Sequence, residues 1–151
     1  MNLPYWQRQT PEQPLFPDIE WGKPEQRSRA GKLGVIGGNK LGFAGVAEAY
    51  STALASGVGE VRVLLPDALK NTLPHTMDGV AYAPSNPSGG LAQEAINELR
   101  ALGAWGDGLL LIGDAGRNSQ TAIVYGQLLR DYQGPAIITR DAVDLVRNDS
   151  A

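Results

Sequence analysis

From Lys32 onward the sequence alternates between short runs of branched apolar residues and longer segments with a helical period, and this alternation constrains the fold more than any single motif. "KLGVI" is a strand candidate. In "FAGVAEAYSTALAS" the residues Val46, Ala49, Tyr50, Ala53 and Leu54 fall at i, i+3, i+4, i+7 and i+8, the stripe of a helix with one apolar face. Gly57 and Gly59 stop it. "VRVLL", closed by Pro66, is the second strand, followed by a short helix candidate "DALKNTL"; "GVAYA" is the third, ahead of the turn-rich "PSNPSGG". "LAQEAINELRAL" restores the helical period, and "GLLLI", bounded by glycine, has the unbroken apolar character of a strand buried on both faces. "GDAGRNSQ" then leads into the helix candidate "TAIVYGQLLRDY" and the strand "AIIT". Strands separated by helices of this length predict β-α-β units: a three-layer α/β fold with a mostly parallel, five-stranded sheet between helices.

The first thirty residues differ from the rest. Pro4, Pro11, Pro14, Pro17 and Pro24 interrupt any helix or central strand, so residues 1–30 are expected to form an extended arm and residues 31–151 the α/β domain. Trp6, Phe16 and Trp21 on this arm call for cover, from the chain's own domain, from a neighbouring subunit or from a ligand.

Charge and composition narrow the partners. A formal net charge of -3, with no run of Lys or Arg, argues against nucleic acid or an anionic membrane as the main partner. The chain has no cysteine, which excludes disulfides and thiolate metal sites. The start "MNLPYWQRQT" lacks the profile of a signal peptide and no apolar run reaches the roughly 20 residues of a membrane span, so a cytoplasmic protein is expected.

In a parallel sheet, ligands bind beyond the carboxyl ends of the strands, and two loops qualify: "GGNKLGFAG" after the first strand and "GDAGRNS" after "GLLLI". Glycine allows close backbone approach to a ligand, and the following helix offers free N–H groups; glycine equally permits a tight turn and nothing more. A dinucleotide fingerprint would need glycine where Asn39 stands between Gly37 and Gly42. A P-loop would need lysine and a hydroxyl where Phe43 and Ala44 stand. Asn39 offers both donor and acceptor, to a ligand or to its own loop.

Four stretches in order and spacing, "GKLGVIGGN", "AGVAEAYSTALASGVGEVRVLLP", "LLLIGDAGRNSQTA" and "GPAIITRDAVDLV", resemble the ADP/ATP-dependent NAD(P)H-hydrate dehydratase family of the ribokinase-like superfamily. The resemblance covers about residues 30 to 147. It implies a ribokinase-like fold and a nucleotide repair activity, the removal of water from hydrated NADH or NADPH driven by ADP or ATP. By position it implies cofactor-facing roles for Gly37, Gly38, Asn39, Gly45 and Gly116, with Asn39 replacing the Ser of "G-G-S". Asp141 keeps the second acidic residue of "D-A-D-A-L", whereas Thr139 and Arg140 occupy its first two places, Gly42 replaces a Tyr, and "GDAG" is one residue shorter than its counterpart. The family's nucleotide-binding loops and catalytic Asp lie in a second half that this sequence does not match. The resemblance therefore implies a truncated domain, with ADP or ATP, and Mg2+ where used, bound mostly outside this chain and no catalytic residue within it.

Other titratable residues add little. His75 is the only histidine, which disfavours a transition-metal site, and Ser51, Ser56 and Ser119 have no histidine nearby in sequence to activate them. Asp114 follows "GLLLI" directly and could meet a ligand hydroxyl, a metal or nearby backbone. The expected reading is half of a dehydratase-like domain that works with its missing half or another copy, as a homo-oligomer. The alternatives are a non-catalytic binding or assembly module and a sugar or vitamin kinase-like protein.

Overall fold

The computed structural model describes residues 10–13, 16–18, 22–72 and 77–147. Five strands, β1 (Lys32–Ile36), β2 (Glu60–Pro66), β3 (Val80–Ala83), β4 (Gly108–Leu111) and β5 (Ala136–Ile138), form one sheet of order β3-β2-β1-β4-β5. Every pairing is parallel, with Val35 opposite Val63 on one side of β1 and Leu110 on the other. The α-helices described over their full length are α1 (Ala44–Ala55), α2 (Ile96–Trp105), α3 (Ser119–Asp131) and α4 (Asp141–Arg147). The expected strands are all present. The described part of "DALKNTL" makes a 3-10 turn at Asp67–Leu69 followed by a turn at 70–72 in place of an α-helix, and α2 is preceded by another 3-10 turn at Gln93–Ala95. Among the described residues no helix is long and apolar enough to cross a membrane.

Alternating side chains divide the core into two layers. Val35, Val63 and Leu65 face α1, where Val46 and Ala53 are buried with Ala49, Tyr50 and Leu54 partly covered around them. Ile36, Leu64, Leu109 and Leu111 face the opposite way, into α2, α3 and α4, and meet Leu99, Val124, Tyr125, Leu128 and Leu145. Each fully buried leucine here contributes roughly 1.5–3 kcal/mol relative to exposure. The two faces are covered unequally. α1 lies over β1 and β2, so Leu110 is only partly buried, and Ile137, its partner in register on β5, is 64% exposed. "GLLLI" is therefore buried fully on one face only, because the single helix on the other does not extend over the β5 edge.

Helix α1 ends where glycine permits: Gly57 has φ +92, its N–H donates to the Leu54 carbonyl, and the Val58 N–H donates to that of Ala53, a Schellman closure. The arm's last turn, Arg27–Arg29, reaches the amino edge of the sheet, where the Ala30 carbonyl accepts from Gly59 N–H. Phe16 is 67% exposed and so is left largely uncovered; Trp6 and Trp21 lie outside the described residues. At that same edge the Asp107 carboxylate accepts from the Lys32 N–H at 2.9 Å, pinning the start of β1 to the start of β4 across 75 residues of sequence.

Candidate functional site

β1 and β4 are neighbours, yet the chain leaves β1 toward β2 and leaves β4 toward β5. Such a reversal is the switch point of a doubly wound sheet, where ligands are taken in a crevice between the carboxyl ends of the two strands. The loop after β1, the loop after β4 and the turn after β5 converge on it.

The first loop is held shut by its own residues. Gly37 lies so close to β4 that a Cβ there would stand 2.7 Å from the Ile112 carbonyl oxygen. Gly38 adopts φ +80, which glycine enters without steric penalty, beneath Leu65 and Phe43. Asn39 and Gly42 exchange two backbone hydrogen bonds of 3.0 Å, making a tight four-residue turn. The Asn39 side chain, 9% exposed, is committed at both ends: its amide donates to the Asp114 carbonyl at 2.6 Å and its oxygen accepts from the Leu41 N–H at 2.7 Å. Gly116, at φ +76, packs against that amide, so that a Cβ would lie 3.2 Å from it. Of the five predicted contacts, Gly37, Gly38 and Asn39 thus build the crevice wall, and Gly45 and Gly116 lie along it.

The charged part comes from the other two segments. Phe43 occupies the cap position of α1 and makes no side-chain cap, so the free N–H of Gly45 is met from a distance: the Asp114 carboxylate accepts it at 2.9 Å. The other oxygen of Asp114 stands 4.0 Å from the Arg140 guanidinium. A Cβ on Gly45 would approach Asp114 to 2.9 Å and Arg140 to 3.0 Å, so this glycine makes room for a pair of charges. Asp141 completes the group by accepting from the Asp114 N–H at 2.8 Å. Asp114 at φ 65 and Arg140 at φ 55 are the two non-glycine residues with left-handed backbone among those described. Such a conformation costs about 1–2 kcal/mol and clusters at functional positions; Asp tolerates it through its short polar side chain, Arg without that help.

The buried hydroxyls of Tyr125, on α3, and of Thr139, next to Arg140 in sequence, have no hydrogen-bond partner. Burial first, and the nearby Asp141 carboxylate second, push the Tyr125 phenol far above the ordinary tyrosine range and keep it protonated. Chemically the crevice offers a carboxylate whose side chain is 29% exposed, able to accept from a hydroxyl or amide, and a guanidinium 58% exposed, able to donate to an oxyanion. A separate cavity of about 560 Å³ opens between α3 and α4 and shares Arg117 and Asn118 with the β4 loop.

Asp114 was legible as a residue at a strand end, and Arg140 as a departure from a motif. Their facing one another across Gly45 was not, because it depends on β4 and β5 lying in register. Ser51 bonds the Glu48 carbonyl, Ser56 caps the end of α1 and Ser119 begins α3, so none is set beside a base; His75 lies outside the described residues. Among the described residues no group of three or more His, Asp or Glu side chains is placed to hold a metal ion.

Strand order and layering define a three-layer α/β protein with an all-parallel sheet. No protein-family model matches the sequence, and no curated protein matches it.

Proposed function

We propose that these residues form the ligand-facing part of an ADP/ATP-dependent NAD(P)H-hydrate dehydratase-like domain, holding hydrated NADH or NADPH in the β1–β4 crevice, with the nucleotide site and the catalytic acid or base supplied by a complementary part, on a longer product or on a separate polypeptide. The observation that carries the reading is the convergence of Asp114 and Arg140, both in left-handed backbone, on Gly45 at the switch point of the sheet. Backbone strain of this kind persists where a site requires a fixed geometry. The hydroxyl and carboxamide of a hydrated nicotinamide match Asp114 as acceptor, and the phosphates match Arg140. In this reading the chain works in the cytoplasm, as a homo-oligomer or with its complementary half.

Strand order alone equally suits an ordinary dinucleotide-binding domain. Against that second reading, Asn39 stands where the pyrophosphate loop needs glycine, and Asp114 places a negative charge at the start of α1 where the pyrophosphate would sit.

Calorimetric titration of the chain with NADPH hydrate, NADPH and ADP tests the reading. Binding of the hydrate in preference to NADPH, with no ATP-dependent dehydration by the chain alone, is the expected result. Absence of hydrate binding, or turnover by the chain unaided, would overturn it.

A further inference from the structure

The crevice contains its own anion. The first turn of an α-helix ordinarily attracts phosphate, and here the Asp114 carboxylate already sits there at 2.9 Å from the Gly45 nitrogen. Three other observations show that this placement is built into the chain. The left-handed backbone of Asp114 directs its side chain back toward α1; the Asp141 carboxylate holds the Asp114 N–H at 2.8 Å; and the Asn39 amide holds the Asp114 carbonyl at 2.6 Å. Both backbone polar groups of Asp114 are thus fixed from different elements, one from the start of α4 and one from the β1 loop. Arg140 differs: at 4.0 Å from Asp114 it forms an ion pair without a hydrogen bond, and its half-exposed guanidinium keeps its donors for something else.

We propose that Asp114 and Arg140 are the specificity-determining pair of this crevice. Asp114 excludes oxyanions from the start of α1 and accepts a hydroxyl or amide N–H in their place, while Arg140 takes the ligand's oxyanion at the outer side of the pair. The ligand class is a polar body with hydroxyl or amide donors joined to a phosphate- or carboxylate-bearing group, entering donor end first. Its assignment to a hydrated nicotinamide nucleotide rests on the function proposed above; the sorting of charge does not.

The test uses inorganic phosphate as the probe, so that it stands or falls apart from nicotinamide binding. In the 15N-labelled chain, phosphate should shift the Arg140 Nε–H signal and leave the Gly45 amide unmoved. Asp114→Gly suits the left-handed backbone at that position and removes the charge; phosphate should then shift the Gly45 amide and bind at least about thirtyfold more tightly there, given the repulsion expected between like charges about 4 Å apart near a protein surface. Asp114→Asn, which also tolerates this backbone, should move the same signal in the same direction. Phosphate should also shift the backbone amides of residues 139–141 in the parent, and Arg140→Gln should abolish that response in the otherwise unaltered chain. A Gly45 shift with Asp114 in place, a folded Asp114→Gly or Asp114→Asn chain whose Gly45 amide ignores phosphate, or an undiminished response after Arg140→Gln would each overturn the proposal. Failure of NADPH hydrate to bind would leave these outcomes unchanged and count against the proposed function alone.

Discussion

Two glycines of the β1 loop, Gly37 and Gly42, share the spacing of a phosphate motif but differ in what surrounds them, and replacing each by alanine separates packing from ligand contact. An alanine at Gly37 would set its Cβ 2.7 Å from the Ile112 carbonyl oxygen, 2.8 Å from the Ile112 Cγ2 and 3.1 Å from the Gly113 carbonyl oxygen. Two of these neighbours are backbone of the adjacent strand end and cannot turn aside, so the loop must lift away from β4. Overpacking of this kind costs about 1–3 kcal/mol, only partly offset by the smaller conformational freedom of alanine in the unfolded chain. Taking about 2 kcal/mol, and roughly 2–4 °C of melting temperature per kcal/mol in a chain of this size, Gly37→Ala should lower Tm by about 4–8 °C. Gly42 has nothing within 4 Å of the same hypothetical atom and no left-handed φ, so Gly42→Ala should stay within about 2 °C of the parent. Thermal unfolding followed by circular dichroism at 222 nm measures both. Equal effects of the two substitutions would refute the argument that β1 loop glycines are set by approach to β4.

Tyr125→Phe removes a fully buried hydroxyl that has no hydrogen-bond partner, and should raise stability in urea by about 1 kcal/mol at neutral pH. The raised phenol pKa adds a pH signature: above the unfolded value of 10.0 the unfolded chain loses this proton and the native one keeps it, so native stability falls as pH rises. The parent should therefore lose up to about 1.4 kcal/mol per pH unit more than Tyr125→Phe above that point, and parallel alkaline profiles would count against a buried neutral phenol. At the β5 edge, Ile137→Lys should change Tm by less than about 1 °C while lowering the self-associated fraction in sedimentation velocity, because it charges an exposed edge strand without touching the core. Unchanged association would place any self-contact elsewhere.

The layered α/β architecture was legible because its signals are local. The i, i+4 stripe of Val46 and Tyr50, the branched residues of "VRVLL" and the glycines around "GLLLI" each report on a few neighbours in sequence. Helix and strand ends were less clear: "DALKNTL" has helical residues, yet its described part forms a 3-10 turn at Asp67–Leu69 and a further turn closed by Thr72 N–H on the Leu69 carbonyl, with the Asp67 carboxylate accepting from the Ser85 N–H and hydroxyl. The crevice was legible in place and not in content. Gly37, Asn39 and Asp114 announce a loop at a strand end, but the bond from Gly45 to Asp114 spans 69 residues and has no local signature. The left-handed φ of Arg140, in a residue that ordinarily avoids it, likewise comes from how the β5 turn packs on Gly113. Nor does any sequence pattern say that α1 stops short of β5 and leaves Ile137 in solvent.

The bonds that pin β1 to β4 at both ends, Asp107 to Lys32 and Asn39 to Asp114, each join residues 75 positions apart, whereas β1 to β2 and β4 to β5 are joined through single intervening helices. Closing the longer loop carries the greater entropic penalty, so each half of the sheet should form first on its own and the β1–β4 seam afterwards. The crevice lies on that seam. During synthesis at about 5–20 residues per second, β1 waits roughly 4–15 seconds for its partner strand to emerge, with one edge unpaired. Until then the nascent chain exposes a strand suited to pairing with other chains and has no crevice for a ligand to enter. A ligand that binds the closed seam would therefore act on the last step of folding, adding its binding energy to the core that Ile36 and Leu64 share with Val124 and Leu128 across the seam.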